Sequence, residues 1–124
     1  MRFVIQKHQA SHLHFDFRLE KDGVLKSWAV PKGIPEESGI KRLAVQVEDH
    51  DLNYIDFEGE ISEGNYGAGK VEIWDNGNYI LEKEIKDKEI LFELKGKKLK
   101  GKYALIHTSG KNWIFLKRKI KGGE

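Results

Sequence analysis

The sequence contains no cysteine. Disulfides and thiolate ligands are therefore excluded, and any metal must be held by nitrogen and oxygen donors. No apolar run approaches the length needed to cross a bilayer as a helix, and the start, MRFVIQKH, lacks the apolar stretch of a signal peptide. The expectation is a cytoplasmic protein with no membrane partner. Sustained 3.6-residue apolar repeats are also missing, so helix is scarce; a single helical turn fits around PEESGI, residues 35–40. Acidic residues are absent from residues 95–121, which hold ten Lys or Arg, whereas residues 1–94 hold twelve basic and nineteen acidic residues. A basic C-terminal third can lie along a phosphate backbone, or can be a solvated surface that keeps strands from aggregating.

What remains reads as strand. FVIQ, GVLKSWAV, RLAVQVE, FEGEI, KVEIW, NYILEKE, ILFELKG, KYALIHT and NWIFLKRK are short apolar-rich runs separated by turns such as KDG and SGK. DNG, between VEIW and NYILEKE, holds the Asn-Gly pair favoured in two-residue hairpins. A chain of 124 residues fits one domain, residues 1–124, with no visible repeat or linker. Nine or ten short strands with Gly-rich turns predict an all-β fold: a single closed or nearly closed antiparallel β-barrel.

The stretch KHQASHLHFDFRLE alternates with a period of two. Leu13, Phe15, Phe17 and Leu19 form an apolar face, while His12, His14, Asp16, Arg18 and Glu20 form the other. His14 and Asp16 leave the same face with Cα atoms roughly 6.6 Å apart, close enough to converge on one cation. His8 lies upstream, beyond QAS, where a turn can bring it back as a third ligand. Two imidazoles and a carboxylate occupy one side of a metal and leave positions open for a substrate. A polar surface strand is the alternative reading of any one of these residues; the set makes a site.

A second cluster lies in KRLAVQVEDHDLNY. Alternation puts Leu43, Val45 and Val47 on one face and Arg42, Glu48 and His50 on the other. Taken singly, Arg42 and Glu48 suit an ordinary cross-strand ion pair, His50 a structural histidine, Tyr54 a core position and Lys32 a solvated loop.

Two long stretches, QKHQASHLHFDFRLEKDGVLKSWAVPKG and KRLAVQVEDHDLNYIDFEGEISEGNYGAGKVEIWDNG, resemble the 3′-phosphoesterase domain of the bacterial DNA ligase D family. The resemblance is close over about residues 3–80. It implies that His8, His14 and Asp16 bind a manganese ion and that Arg18 and His50 grip the scissile phosphate. It further implies that Lys32, Arg42, Glu48 and Tyr54 complete the catalytic pocket, while His12 and His107 receive no role. The implied reactions remove a 3′-terminal ribonucleoside from a DNA primer, leaving a 3′-phosphate, and then remove that phosphate to leave a 3′-hydroxyl. The implied partners are DNA or RNA-terminated DNA 3′ ends, with a separately encoded DNA ligase and polymerase. Members are often fused to both enzymes, so a stand-alone member without an N-terminal arm is the expectation from a chain of this length.

Three other readings compete. GNYGAGKV places Gly64, Gly69 and Lys70 as in a phosphate-binding loop, but position 71 is Val and a strand follows where a helix is required. His-x-Asp with a second His also describes the facial triad of non-haem iron oxygenases, which have no use for Lys32, Arg42 and His50 as phosphate contacts. A nucleic-acid-binding barrel without catalysis would use the basic stretch 95–121 together with Trp28, Trp74 or Trp113 as stacking platforms. It leaves the His/Asp face unexplained.

Overall fold

Alternation of apolar and polar residues in nearly every segment produces strands that bury one face. In the computed structural model, which describes residues 1–64 and 68–119, nine strands form: β1 (Arg2–Gln9), β2 (Leu13–Lys21), β3 (Val24–Val30), β4 (Lys41–His50), β5 (Gly59–Ile61), β6 (Gly69–Ile85), β7 (Glu89–Gly96), β8 (Lys100–Ser109) and β9 (Asn112–Lys117). The ladder runs β1-β2-β3-β4-β9-β8-β7-β6, and a β1–β6 pairing closes it. The fold is thus a closed eight-stranded antiparallel barrel, with β5 added beside the start of β6. Closure removes the free edges that an open sheet would expose. None of the helices among the described residues is long and apolar enough to cross a membrane.

The interior is aromatic. Phe17 stacks on Phe115 at 4.6 Å and on Phe92 at 5.8 Å, and Trp28 meets Trp113 edge-on at 5.8 Å. Trp28 and Trp113 belong to this core, so neither is available for base stacking; Trp74 is partly buried against it. Offset and edge-on packing of large rings fills an eight-stranded barrel without a channel.

KDG forms the expected two-residue turn: Lys21 pairs with Val24, and Asp22 and Gly23 both have positive φ. DNG does not. Residues 69–85 are one 17-residue strand, and neither Asn76 nor Gly77 has the positive φ that such a turn needs. The first half of β6 pairs with β1 and the second half with β7, so the chain cannot reverse here without opening the barrel. Register shifts opposite Ile5/Gln6 and between Leu81 and Lys83 bend the strand instead. The polar residues acquire other work. Asp75 is buried and accepts hydrogen bonds from the backbone N–H groups of Lys97, Lys98 and Leu99 at 2.8–3.1 Å. Gly77 stands opposite Gly96, where a Cβ would lie 2.2 Å from the Lys95 carbonyl oxygen.

The turn expected in PEESGI is not helical. Ile34 reaches into the core, and Pro35 biases the residue before it towards extended backbone. The one helical segment described is a 3₁₀ turn, Leu52–Asp56. The near phosphate-binding loop GNYGAGKV includes residues 65–67, which lie outside the described residues; its Gly69 and Lys70 open a strand.

Removing the Asp75 carboxylate strands three backbone donors, and hydrogen bonds to a charged acceptor contribute more than neutral ones. Asp75→Ala is expected to lower unfolding stability by about 3 kcal/mol in urea melts, with the dependence on denaturant unchanged. A loss under about 0.5 kcal/mol would contradict this account of β6.

Candidate metal and phosphate site

The site is built on the outer face of the barrel wall, across β1, β2, β3 and β4. Directly paired residues share a face. Val4 pairs with Arg18, Gln6 with Asp16 and His8 with His14, so β1 and β2 present Gln6, His8, His14, Asp16 and Arg18 together. The β1–β2 turn thus brings His8 back beside His14, their rings 4.8 Å apart. His8 Nδ1 lies 3.5 Å from one Asp16 oxygen and His14 Nε2 lies 3.3 Å from the other. One ligand atom from each of the three residues falls within 4.8 Å of the others. Donors around a shared divalent ion at about 2.1 Å sit about 3 Å apart, so small side-chain movements suffice to seat one. Two imidazoles and a carboxylate suit a borderline or hard divalent cation and leave coordination positions for other groups.

This face is not open surface, as a polar strand face would ordinarily be. Arg18 is 4% exposed and Asp16 7%. The cover is the 3₁₀ turn: Ile55 packs with Val4 and Leu25 in a small second core that Leu52, Tyr54 and Ile73 extend. Gln6 ties this cover down by donating from Nε2 to the carbonyls of Tyr54 and Phe57. Its Oε1 accepts a 2.7 Å bond from Arg18 Nε. The guanidinium also lies 3.5 Å from Asp16, 3.1 Å from His50 Nδ1 and 5.0 Å from the Tyr54 ring centre. Tyr54 stacks between His50 and Phe57, with ring centres 4.8 Å from each.

Charge is matched across this network. Burial favours the neutral form of Asp16, but the His14 hydrogen bond and the Arg18 charge outweigh it and hold the carboxyl below its usual range. The same hydrogen bond raises His14 above its ordinary value despite partial burial. His50 moves the other way, lowered by burial and then by the Arg18 charge. Arg has only donors, so a bond from Arg18 to His50 Nδ1 leaves the ring proton on Nε2, where it can be donated to an anion. The Glu48 carbonyl, 3.1 Å from the same Nδ1, is the competing acceptor when that atom is protonated.

The structure therefore gathers His8, His14, Asp16, Arg18, His50 and Tyr54. It distributes the other expected residues differently. Register jumps from Ser27↔Val47 to Leu25↔His50, giving β4 an extra residue and reversing its alternation. His50 consequently shares the outer face with Val45 and Val47, whereas Arg42 pairs with Phe115 and Ala44 lies in the core. The expected division of β4 into an apolar Leu43 face and an Arg42/Glu48/His50 face is corrected accordingly. Glu48 is exposed in the bulge, and Lys32 is exposed in the loop that follows Val30, at the end of the barrel where β2 begins. His12 sits in the β1–β2 turn with its carbonyl 3.4 Å from His14 Nδ1, and His107 is bonded to the Gly110 carbonyl and packed on Trp113. Gln6 was missed by sequence reasoning. The signal was there: it shares parity with Val4 and His8 and directly follows the apolar run at residues 3–5, yet glutamine alone carries no chemical flag.

Comparison with known proteins adds a family. Residues 6–107 match the model of the DNA Ligase D 3′-phosphoesterase domain. The chain is 52% identical over 115 residues to the multifunctional non-homologous end joining protein LigD of Mycobacterium bovis, covering 90% of this chain and 15% of that protein. It is 50% identical over 130 residues to the corresponding LigD of Pseudomonas aeruginosa, covering 100% of this chain and 16% of that protein. The LigD of Mycolicibacterium smegmatis gives 50% over 123 residues, 91% of this chain and 16% of that protein. The chain thus spans about a sixth of the length of these relatives.

A metal competes with protons for His14, and raised basicity at that imidazole strengthens the competition. Calorimetric titration with a divalent transition metal is expected to show one site whose affinity falls as pH drops from about 8 to about 6, with His14→Ala and Asp16→Ala each weakening binding by about 100-fold or more. Unchanged affinity in either variant would contradict the three-residue cluster.

Proposed function

The chain belongs to the DNA ligase D 3′-phosphoesterase domain family, and from that premise we propose that it is a manganese-dependent enzyme that trims 3′ ends of DNA for repair by end joining. The observation that carries the reading is the adjacency, on the outer face of the barrel wall, of a three-donor cluster and a pair formed by buried Arg18 and half-buried His50. A phosphate ester lying across that face meets the cluster with one oxygen and the guanidinium with others. The non-haem oxygenase alternative uses the cluster alone and leaves Arg18, His50 and Tyr54 without work.

His8, His14 and Asp16 are the residues that would hold manganese. When bound, the metal polarises a phosphoryl oxygen and lowers the pKa of coordinated water. Arg18 supplies positive charge where the five-coordinate phosphorus accumulates negative charge, and its fork suits two phosphoryl oxygens at once. Gln6 fixes that fork through Nε, keeping both terminal nitrogens for Asp16, His50 and substrate. His50 donates Nε2–H to a phosphate oxygen or to the leaving oxygen. Tyr54 walls the pocket, holding the guanidinium and the imidazole against its ring. Lys32 and Glu48, both exposed, complete the set by phosphate contact or by positioning the groups that make it, whereas Arg42, paired with Phe115 on the inward face, can act only through the wall of the barrel.

Two hydrolyses follow. In the first, a water oxygen bonds to phosphorus, the bond to O5′ of the terminal ribonucleoside breaks, and that oxygen takes a proton. In the second, water attacks the remaining 3′-phosphate, the bond to O3′ breaks, and inorganic phosphate leaves a 3′-hydroxyl. A ligase and a polymerase would use that end.

A 5′-labelled DNA primer ending in one ribonucleotide, annealed to a longer template, tests this directly. Manganese-dependent loss of one nucleoside, giving first a 3′-phosphate and then a 3′-hydroxyl, is the expected result. Arg18→Ala and His50→Ala should lower the rate by about 10³-fold while still binding manganese. An uncleaved primer with metal-loaded wild-type protein would sink the proposal, and metal loss from the Arg18 or His50 variant would overturn the division of roles.

A further inference from the structure

The metal and phosphate face leaves a charged feature of the barrel without a role: the lysine-rich turn between β7 and β8. We propose that this turn, from Lys95 to Lys100, is a docking surface for the nucleic-acid strand whose 3′ end enters the metal cluster, holding its backbone phosphates. The inference rests on the reading above in taking the partner to be a DNA end.

Lys95, Lys97, Lys98 and Lys100 are all exposed. No carboxylate interrupts them in the sequence, and among the described residues none of the four forms an ion pair. Some lysines elsewhere do: Lys21 with Glu84, Lys26 with Asp49 and Lys102 with Glu82. The acidic group beneath the turn, Asp75, is committed to three backbone amides. Those bonds, the buried Leu99 side chain and a 2.8 Å bond from Gly96 N–H to the Leu99 carbonyl fix the turn. Four like charges are thus held close together on a rigid support, an arrangement that favours a counter-ion with repeated negative charge.

Position favours the same partner. Lys98 Nζ lies 4.4 Å over the Trp74 ring, and Trp74 packs edge-on against Phe15, the residue between His14 and Asp16. The turn is therefore joined by two ring contacts to the strand that carries two of the three donors. The β4–β9 ladder ends at Lys41, paired with Leu116, and β3 ends just before exposed Lys32, so further positive charge lies where these strands end. The competing explanation, lysines that guard a strand edge, does not apply: β7 and β8 are paired on both sides in a closed barrel.

The turn is held through backbone amides, so its side chains can be changed without removing those bonds. The test is fluorescence anisotropy of a labelled primer–template duplex against salt, comparing wild type with the triple variant Lys97→Gln, Lys98→Gln, Lys100→Gln. A second triple variant, Lys86→Gln, Lys88→Gln, Lys111→Gln, removes equal charge from turns at the far ends of the strands and serves as the control. The turn variant is expected to bind about tenfold or more weakly at low salt, with a slope of log affinity against log salt shallower by about 2 to 3, and to show a raised KM for primer cleavage. The control is expected to change by less than about threefold. Equal effects in the two variants, or wild-type binding by the turn variant, would overturn the inference while leaving the phosphoesterase reading intact. Lysine-dependent binding by a wild-type protein that cleaves no 3′ end would have the opposite meaning, upholding the docking surface and sinking the enzyme.

Discussion

Asp16 is a carboxylate withdrawn almost entirely from water, and the functional face is arranged around that fact. A buried anion is costly unless matched. Here the match comes from two imidazoles on one side and a guanidinium on the other. The same carboxylate can thus be a metal donor at its histidine edge while anchoring Arg18 at the opposite edge. A candidate metal position and a candidate anion position are held at a fixed spacing by one side chain, as the proposed reaction at a phosphate bridging the two requires. Gln6 and the 3₁₀ cover complete the enclosure, since without them Arg18 would lose its tightest hydrogen bond and Tyr54 its place.

The barrel supplies what this arrangement needs from the rest of the chain. Antiparallel pairing of β1 with β2 sets His8 directly across from His14, a relation that a loop would not maintain. The bulge in β4 turns His50 onto the same outer face as Val45 and Val47, while Arg42 and Ala44 face inward. Stacked aromatic rings within the barrel keep the wall rigid, so side chains on its outside hold their spacing. The candidate site and the core use opposite faces of the same strands, which is why the opening segment alternates between phenylalanine and ionisable residues.

That alternation made the central strand legible in the sequence. Phe17 and Leu19 are core, and His14, Asp16 and Arg18 do gather with His8 and His50. The closed all-β barrel was equally legible from turn spacing and the missing helical period. Three features were not, and for one reason: each depends on partners far along the chain. DNG would make a good isolated hairpin, but β6 has to serve two neighbours in succession and runs straight through it. Alternation in β4 was read without its bulge, which is visible only against β3. Gln6 looked inert until the carbonyls of Tyr54 and Phe57 and the Arg18 guanidinium arrived around it. Local pattern reports which face a residue occupies; it does not report what comes to cover that face.

The central claim is that one carboxylate joins a metal position to an anion position. Crystals grown with manganese and inorganic phosphate, measured at the manganese absorption edge, test it most directly. The account predicts one strong anomalous peak in contact with His8, His14 and Asp16, and a phosphate that reaches both the metal and the Arg18–His50 pair. A manganese peak away from those three side chains, or a phosphate bound with no contact to Arg18 and His50, would contradict it.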